Sequence, residues 1–177
     1  MNTVKIDKKN CRMIAHRGVS GLEKENTCAA FVAAGVKTYY GIETDVHVTA
    51  DGEYFIFHDD NMKRIAGVDM DIERSTAEQL RTVRMPDTDG KTFRSDLVVP
   101  ALKDYISICG KYDKTAVLEL KNPMERKHVL NIAALVKDMG WLDRTIFISF
   151  AKENLVILRE EYRYAAVSYT HLTLPTT

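Results

Sequence analysis

The run Tyr39–Val48 constrains the chain most. It reads Tyr-Tyr-Gly-Ile-Glu-Thr-Asp-Val-His-Val, an apolar and β-branched stretch with two carboxylates placed two residues apart. A β-strand turns successive side chains to opposite faces, so Gly41, Glu43 and Asp45 share one face and Ile42, Thr44 and Val46 the other. The second set suits a helix layer. The first points inward, where a charge requires a partner. Two carboxylates on one face repel each other, and a hard cation between them is the common remedy. The fold must therefore bury both faces of this strand while keeping one open to an ion.

The neighbouring runs repeat the pattern. Arg12–His16 reads as a short buried strand ending in a histidine, and Glu53–His58 as another. Between the first two lies a helix-compatible stretch containing Ala29, Ala30, Phe31, Ala33 and Ala34, capped by Asn26 or Thr27 and ending near Gly35. The turn Thr49-Ala50-Asp51-Gly52 is too short for a crossover helix. Tyr39–Val48 and Glu53–His58 thus form a hairpin, or the chain descends without a helix. In a hairpin His58 is expected across from Asp45.

Beyond Asp60 the pattern loosens. Ser75-x-x-Glu78 is a capping-box signature for a short helix through Arg84, Met85–Lys91 reads as a loop, and Pro100 suits the first position of a helix to Gly110. Ala116–Lys121 is a fourth strand, with Glu119 and Lys121 on one face. A helix runs from Asn122-Pro123 to Gly140. Thr145–Phe150 is a fifth strand, 152–162 a helix, and Tyr164–Ser168 a sixth strand. Alternating strands and helices of these lengths predict an α/β fold with a mainly parallel sheet.

Any one of Glu43, Asp45 and Glu119 alone reads as a surface carboxylate. Together, on matched positions of two buried strands, they read as ligands for one divalent cation, and all-oxygen ligation selects Mg²⁺ or Ca²⁺. A zinc hydrolase is disfavoured by the lack of closely spaced His/Cys ligands. His16 and His58, each ending a strand, would supply a proton acceptor and a proton donor near neutral pH. His47 shares the parity of Asp45 but lies beyond it and is expected at the rim. Asp59 and Glu25 are expected to orient their neighbours, and Arg64 to anchor the segment after the third strand.

His16-Arg17-Gly18, Glu25-Asn26-Thr27, Glu43-x-Asp45, Thr49-x-Asp51-Gly52 and His58-Asp59, in that order and spacing, resemble the glycerophosphodiester phosphodiesterase family, and the likeness continues to about Phe150. One departure is Lys24, where the family usually has proline at a loop-shaping position. The resemblance implies a (β/α)8 TIM-type barrel with its site at the carboxyl ends of the strands. Five or six strands are present here, with a family-type insertion at about 60–98. The expected organisation is a partial barrel domain over 1–167, followed by a non-native tail over 168–177 that fits no further βα unit. The implied reaction is metal-dependent hydrolysis of glycerophosphodiesters to glycerol 3-phosphate and an alcohol. His16 and His58 would transfer protons, Arg17 and Lys121 would hold the phosphate, and Glu43, Asp45 and Glu119 would hold the cation. Alternatives are the same barrel acting on lysophospholipids, and a truncated, non-catalytic binding module.

Composition bounds the partners. Among 177 residues, 25 basic and 25 acidic side chains give a net charge of zero, which leaves no electrostatic footprint for nucleic acid. There is no apolar leader and no run of transmembrane length. Cys11, Cys28 and Cys109 follow no ligand pattern and read as buried thiols in a reducing compartment. A cytoplasmic protein acting on a small molecule is expected; its oligomeric state is open.

Overall fold

The computed structural model describes residues 9–162 and 166–169. Its main sheet contains β1 (Ile14–Ala15), β2 (Gly41–Val48), β3 (Tyr54–Ile56), β6 (Thr115–Leu120), β7 (Thr145–Ser149) and β8 (Ala166–Tyr169). The order is β1-β2-β6-β7-β8, all parallel, with β3 antiparallel to β2. This is the α/β, mainly parallel architecture of a (β/α)8 barrel that is not closed. Gly41 and Ile42 at the start of β2 pair with β1 and its last three residues with β3, so those two strands share one edge of β2 while β6 takes the other.

Helices α1 (Cys28–Gly35), α4 (Leu102–Lys111), α5 (Arg126–Asp138) and α6 (Lys152–Glu161) cover the outer face. The principal core joins Ile42, Val46, Leu118, Leu120 and Phe147 of the sheet to Phe31, Tyr105, Ile132 and Leu158 of the helices. The Tyr105 hydroxyl, buried with its ring, donates to the Ile42 carbonyl at 2.7 Å.

A second core belongs to the segment after β3. This segment holds α2 (Lys63–Ala66), a 3-10 turn at Ile72–Arg74, α3 (Ala77–Thr82), β4 (Arg84–Pro86) and β5 (Phe93–Val98). Met62, Ile72, Leu80, Met85 and Leu97 pack there with Phe55 and Phe57.

Several local expectations shift. The capping box is made by Thr76 and Gln79, one residue on from the expected pair, and α3 ends at Thr82. Met85–Lys91 is not simply a loop, because β4 and β5 form an antiparallel hairpin around it. Pro100 lies outside α4: its carbonyl accepts from Ile56 N at 2.8 Å, as a strand residue would, and Ala101 is the N-cap. Cys11 is exposed; Cys109 alone is fully buried. Ser168 and Tyr169 pair with Ile148 and Ser149 in β8 and so belong to a strand. The remainder of the expected tail, 170–177, and the expected strand start at Tyr164 lie outside the described residues. Among the described residues, no helix is long and apolar enough to cross a membrane.

Candidate active site

Glu43 and Asp45 of β2 and Glu119 of β6 converge because the two strands are parallel and in register, with Asp45 opposite Glu119. One carboxylate oxygen from each lies within 4.8 Å of the others. All three residues are buried. Burial and the neighbouring Asp45 charge push the Glu43 carboxyl up to about 8, with Glu119 adding to the effect. Lys121 supplies partial compensation: its Nζ is 2.9 Å from Glu119 Oε1 and 3.6 Å from Asp45 Oδ1. Even so, Glu119 Oε1 is buried and accepts no aligned hydrogen bond. A buried cluster of three carboxylates, only partly balanced by one ammonium, fits a hard divalent cation.

The loop after β1 closes one side. Arg17 and Gly18 have positive φ, 55° and 75°. A Cβ on Gly18 would sit 2.7 Å from Ala30 of α1, so only glycine lets the loop lie on the helix start. This turn aims the Arg17 main-chain N–H at Glu43 Oε2, 2.8 Å away. His16 Nε2 is 3.9 Å from the same oxygen, with a side chain 69% exposed. Burial of its inner side and the nearby Arg17 charge lower the His16 pKa, and His58 contributes in the same direction.

Asn26, part of the Glu25-Asn26-Thr27 motif and a candidate helix cap, does not cap α1. Thr27 takes that role, accepting from Ala30 N at 3.2 Å and donating to the Lys24 carbonyl at 2.7 Å. Asn26, at φ 55°, donates instead to Asp45 Oδ2 and accepts from Thr44 Oγ1, both at 2.8 Å. The sequence hints at this twice, in the Glu25-Asn26-Thr27 motif and in two polar residues competing for one cap.

β3 closes the other side as a hairpin partner of β2, which settles the open alternative. The register places Phe57, rather than His58, across from Asp45: Phe57 N donates to the Asp45 carbonyl at 3.1 Å. His58 follows, with Nδ1 2.7 Å from Asp59 Oδ1. Hydrogen bonds from Arg64, with His58 behind, hold the Asp59 carboxyl well below the usual carboxylate range. The Arg17 side chain is turned to Glu25, donating from Nη1 at 3.0 Å, and its Nε is buried without a partner. His47 is fully buried, not at the rim: Glu73 from the 3-10 turn reaches its Nδ1 at 3.0 Å and also accepts from Asn122 Nδ2 at 3.0 Å.

A barrel-type α/β scaffold with three buried carboxylates on two parallel strands, flanked by His16, Arg17 and Lys121, defines a class: α/β barrel proteins with an acidic cluster that could hold a metal ion. The family follows from comparison. The sequence model described as the glycerophosphoryl diester phosphodiesterase family matches residues 16–177, and the chain belongs to that family.

Among similar proteins, the uncharacterized Bacillus subtilis protein YqiK is 31% identical over 151 residues, covering 82% of this chain and 60% of that protein. A glycerophosphodiester phosphodiesterase of Caldanaerobacter subterraneus is 28% identical over 149 residues, 81% of this chain and 59% of the relative. The chain thus spans about 60% of the length of these relatives. A human lysophospholipase D is 42% identical over 59 residues, 33% of this chain and 19% of that protein. The solved structure of an Oleispira antarctica phosphodiesterase with the product sn-glycerol-3-phosphate superposes with a TM-score of 0.81 at 26% identity, covering 94% of this chain and 68% of that one.

Proposed function

We propose that this protein hydrolyses glycerophosphodiesters to glycerol 3-phosphate and an alcohol, with a divalent cation and two-histidine acid–base catalysis. The convergence of Glu43, Asp45 and Glu119 beside Lys121 and His16 carries the proposal. Family membership and the product held by the Oleispira antarctica relative support it. The three carboxylates would hold Mg²⁺ or Ca²⁺. When bound, such a cation offsets negative charge on phosphate oxygens.

The chain's own side chains do the rest. Arg17 and Lys121 bind the phosphate and stabilise the charge that develops on its oxygens. One imidazole of the His16/His58 pair accepts the proton of the glycerol hydroxyl next to the phosphodiester as that oxygen attacks phosphorus. The other donates a proton to the departing alcohol oxygen as its P–O bond breaks. Water then opens the resulting cyclic phosphate with the proton roles exchanged. Asp59 holds the His58 ring by Nδ1, which leaves Nε2 to face substrate. The segment over about 60–98, with its own core, would choose among leaving alcohols.

The test is an assay of the purified protein on glycerophosphocholine, glycerophosphoethanolamine and glycerophosphoglycerol. Release of glycerol 3-phosphate should stop in EDTA and return with Mg²⁺ or Ca²⁺; full activity in excess EDTA overturns the metal assignment. A substrate lacking the hydroxyl beside the phosphodiester should not be cleaved, and cleavage at the same rate would make water the nucleophile. The likeness to a lysophospholipase D favours one second reading, in which lysophosphatidylcholine is the better substrate. Running it in the same assay decides between the two.

A further inference from the structure

Arg64 lies on α2, a single turn ended by Gly67 at φ 73° and held by the buried Ile65 and Ala66 of the second core. Its guanidinium grips two carboxylates at once. Nε donates to Asp59 Oδ2 at 2.6 Å and Nη2 to Asp59 Oδ1 at 2.9 Å. Nη1 donates to Glu25 Oε2 at 3.1 Å and Nη2 to Glu25 Oε1 at 2.9 Å. The oxygens met by Nη2 are the same two that hold site residues. Asp59 Oδ1 holds His58 Nδ1 at 2.7 Å, and Glu25 Oε1 holds Arg17 Nη1 at 3.0 Å. An unbroken chain of charge-assisted bonds therefore runs Arg17–Glu25–Arg64–Asp59–His58.

We propose that Arg64 is a positioning residue: one planar fork sets the orientation of His58 through Asp59 and of Arg17 through Glu25. The kinetic part of this inference rests on the hydrolase reading above. Five donors in a fixed plane can satisfy two carboxylates simultaneously, which a lysine ammonium on a flexible stem cannot do with the same geometry. The Arg64 side chain is about half exposed, and ion pairs at such sites add little to stability. Orientation is what the arrangement supplies. The two carboxylates are also kept charged: hydrogen bonds from Arg64 hold both below their ordinary range, in Glu25 against the opposing effect of burial. The segment after β3 is thereby tied to both sides of the site through a single side chain.

Two measurements test this. In ¹⁵N-histidine spectra of the wild-type protein, the His58 Nδ1–H signal should be protected from exchange. It should broaden or vanish in Arg64→Ala and be partly kept in Arg64→Lys. In steady-state kinetics, Arg64→Ala should lower kcat and raise KM, with kcat/KM falling on the order of 10–100-fold, the usual cost of losing an outer-shell partner. Guanidinium ion in the buffer should restore part of the loss.

The decisive comparison uses two backgrounds. With Asp59→Ala, adding Arg64→Ala should raise KM and lower kcat together, through Arg17. With Glu25→Ala, it should change only kcat, through His58. A purely structural Arg64 would lower kcat equally in both backgrounds and leave KM alone; that result, or an unchanged His58 signal in Arg64→Ala, overturns the inference. A wild-type protein that cleaves no glycerophosphodiester overturns the hydrolase reading instead, while the imidazole signal still judges the positioning.

Discussion

Replacing Glu43 with Gln should stabilise the metal-free protein at alkaline pH. In the fold, burial and Asp45 raise the Glu43 carboxyl from an ordinary 4.5 to about 8. The unfolded chain releases this proton near 4.5, so between those values the native state binds more protons than the unfolded state. Stability then falls as pH rises across that window. The penalty is absent below pH 4.5 and complete above pH 8. At roughly 1.4 kcal/mol per tenfold change in proton affinity, it is on the order of a few kcal/mol. Glutamine keeps the shape and can still accept the Arg17 N–H that now bonds Oε2, but it carries no charge to be repelled. Thermal unfolding in EDTA between pH 5 and 8.5 should therefore show a downward slope for wild type and a much flatter line for Glu43→Gln, crossing so that the variant is the more stable above pH 8. Adding Mg²⁺ or Ca²⁺ at pH 8 should raise the wild-type Tm more than the variant's, because the cation removes the same repulsion. Parallel pH profiles for the two metal-free proteins would show that the carboxylate cluster is not strained and that the argument for a cation fails with it.

His16→Ala and His58→Ala should each lower turnover on the order of 10²–10⁴-fold, the range for losing a general acid or base. The unfolding midpoint should move little, since these side chains are 69% and 33% exposed; turnover within a few-fold of wild type removes that imidazole from proton transfer. Tyr105→Phe should cost about 1 kcal/mol by loss of the buried bond to the Ile42 carbonyl. Urea denaturation should show a lower midpoint with an unchanged slope, and a neutral result would mean that the carbonyl is satisfied without the hydroxyl.

The strand core and the carboxylate cluster were legible because period-two alternation is a local property. Glu43 and Asp45 must share a face wherever β2 sits, and the matched position of Glu119 needed only a parallel neighbour. What depended on distant packing was not legible. His47 looked like a rim residue by its distance along β2, yet Glu73, 26 positions later, folds over it. The capping box missed by one residue because Ser75-Thr76 and Glu78-Gln79 offer two overlapping boxes, and only the placement of the helix selects the second. The β4–β5 hairpin was hidden because Pro86 and the Asp87–Gly90 turn break the alternation that would mark it. The orienting roles of Glu25 and Asp59 and the anchoring role of Arg64 were legible, but their union through one guanidinium, across up to 39 positions, leaves no periodic trace.

The geometry of β2 explains how one strand serves core and site together. β6 pairs with it only as far as Val46, while β2 continues to Val48 and turns back as β3. The returning strand delivers Phe57 to the level of Asp45, so His58 follows one residue on, held against Asp59, without a crossover helix. A slip of one residue in this hairpin would exchange the faces of Phe57 and His58, drawing the phenyl ring out of the second core and the imidazole away from Asp59. The turn is built against that slip. Glu53 N donates to the Thr49 hydroxyl at 2.9 Å, the same hydroxyl donates to Asp51 Oδ1 at 2.6 Å, and both oxygens of Asp51 receive Ala77 N at the start of α3, at 3.0 and 3.1 Å. Register at the hairpin and the docking of the segment over the mouth are thus set by one aspartate, which is the physical reason a Thr-x-Asp-Gly turn belongs beside a site whose chemistry is carried by other residues.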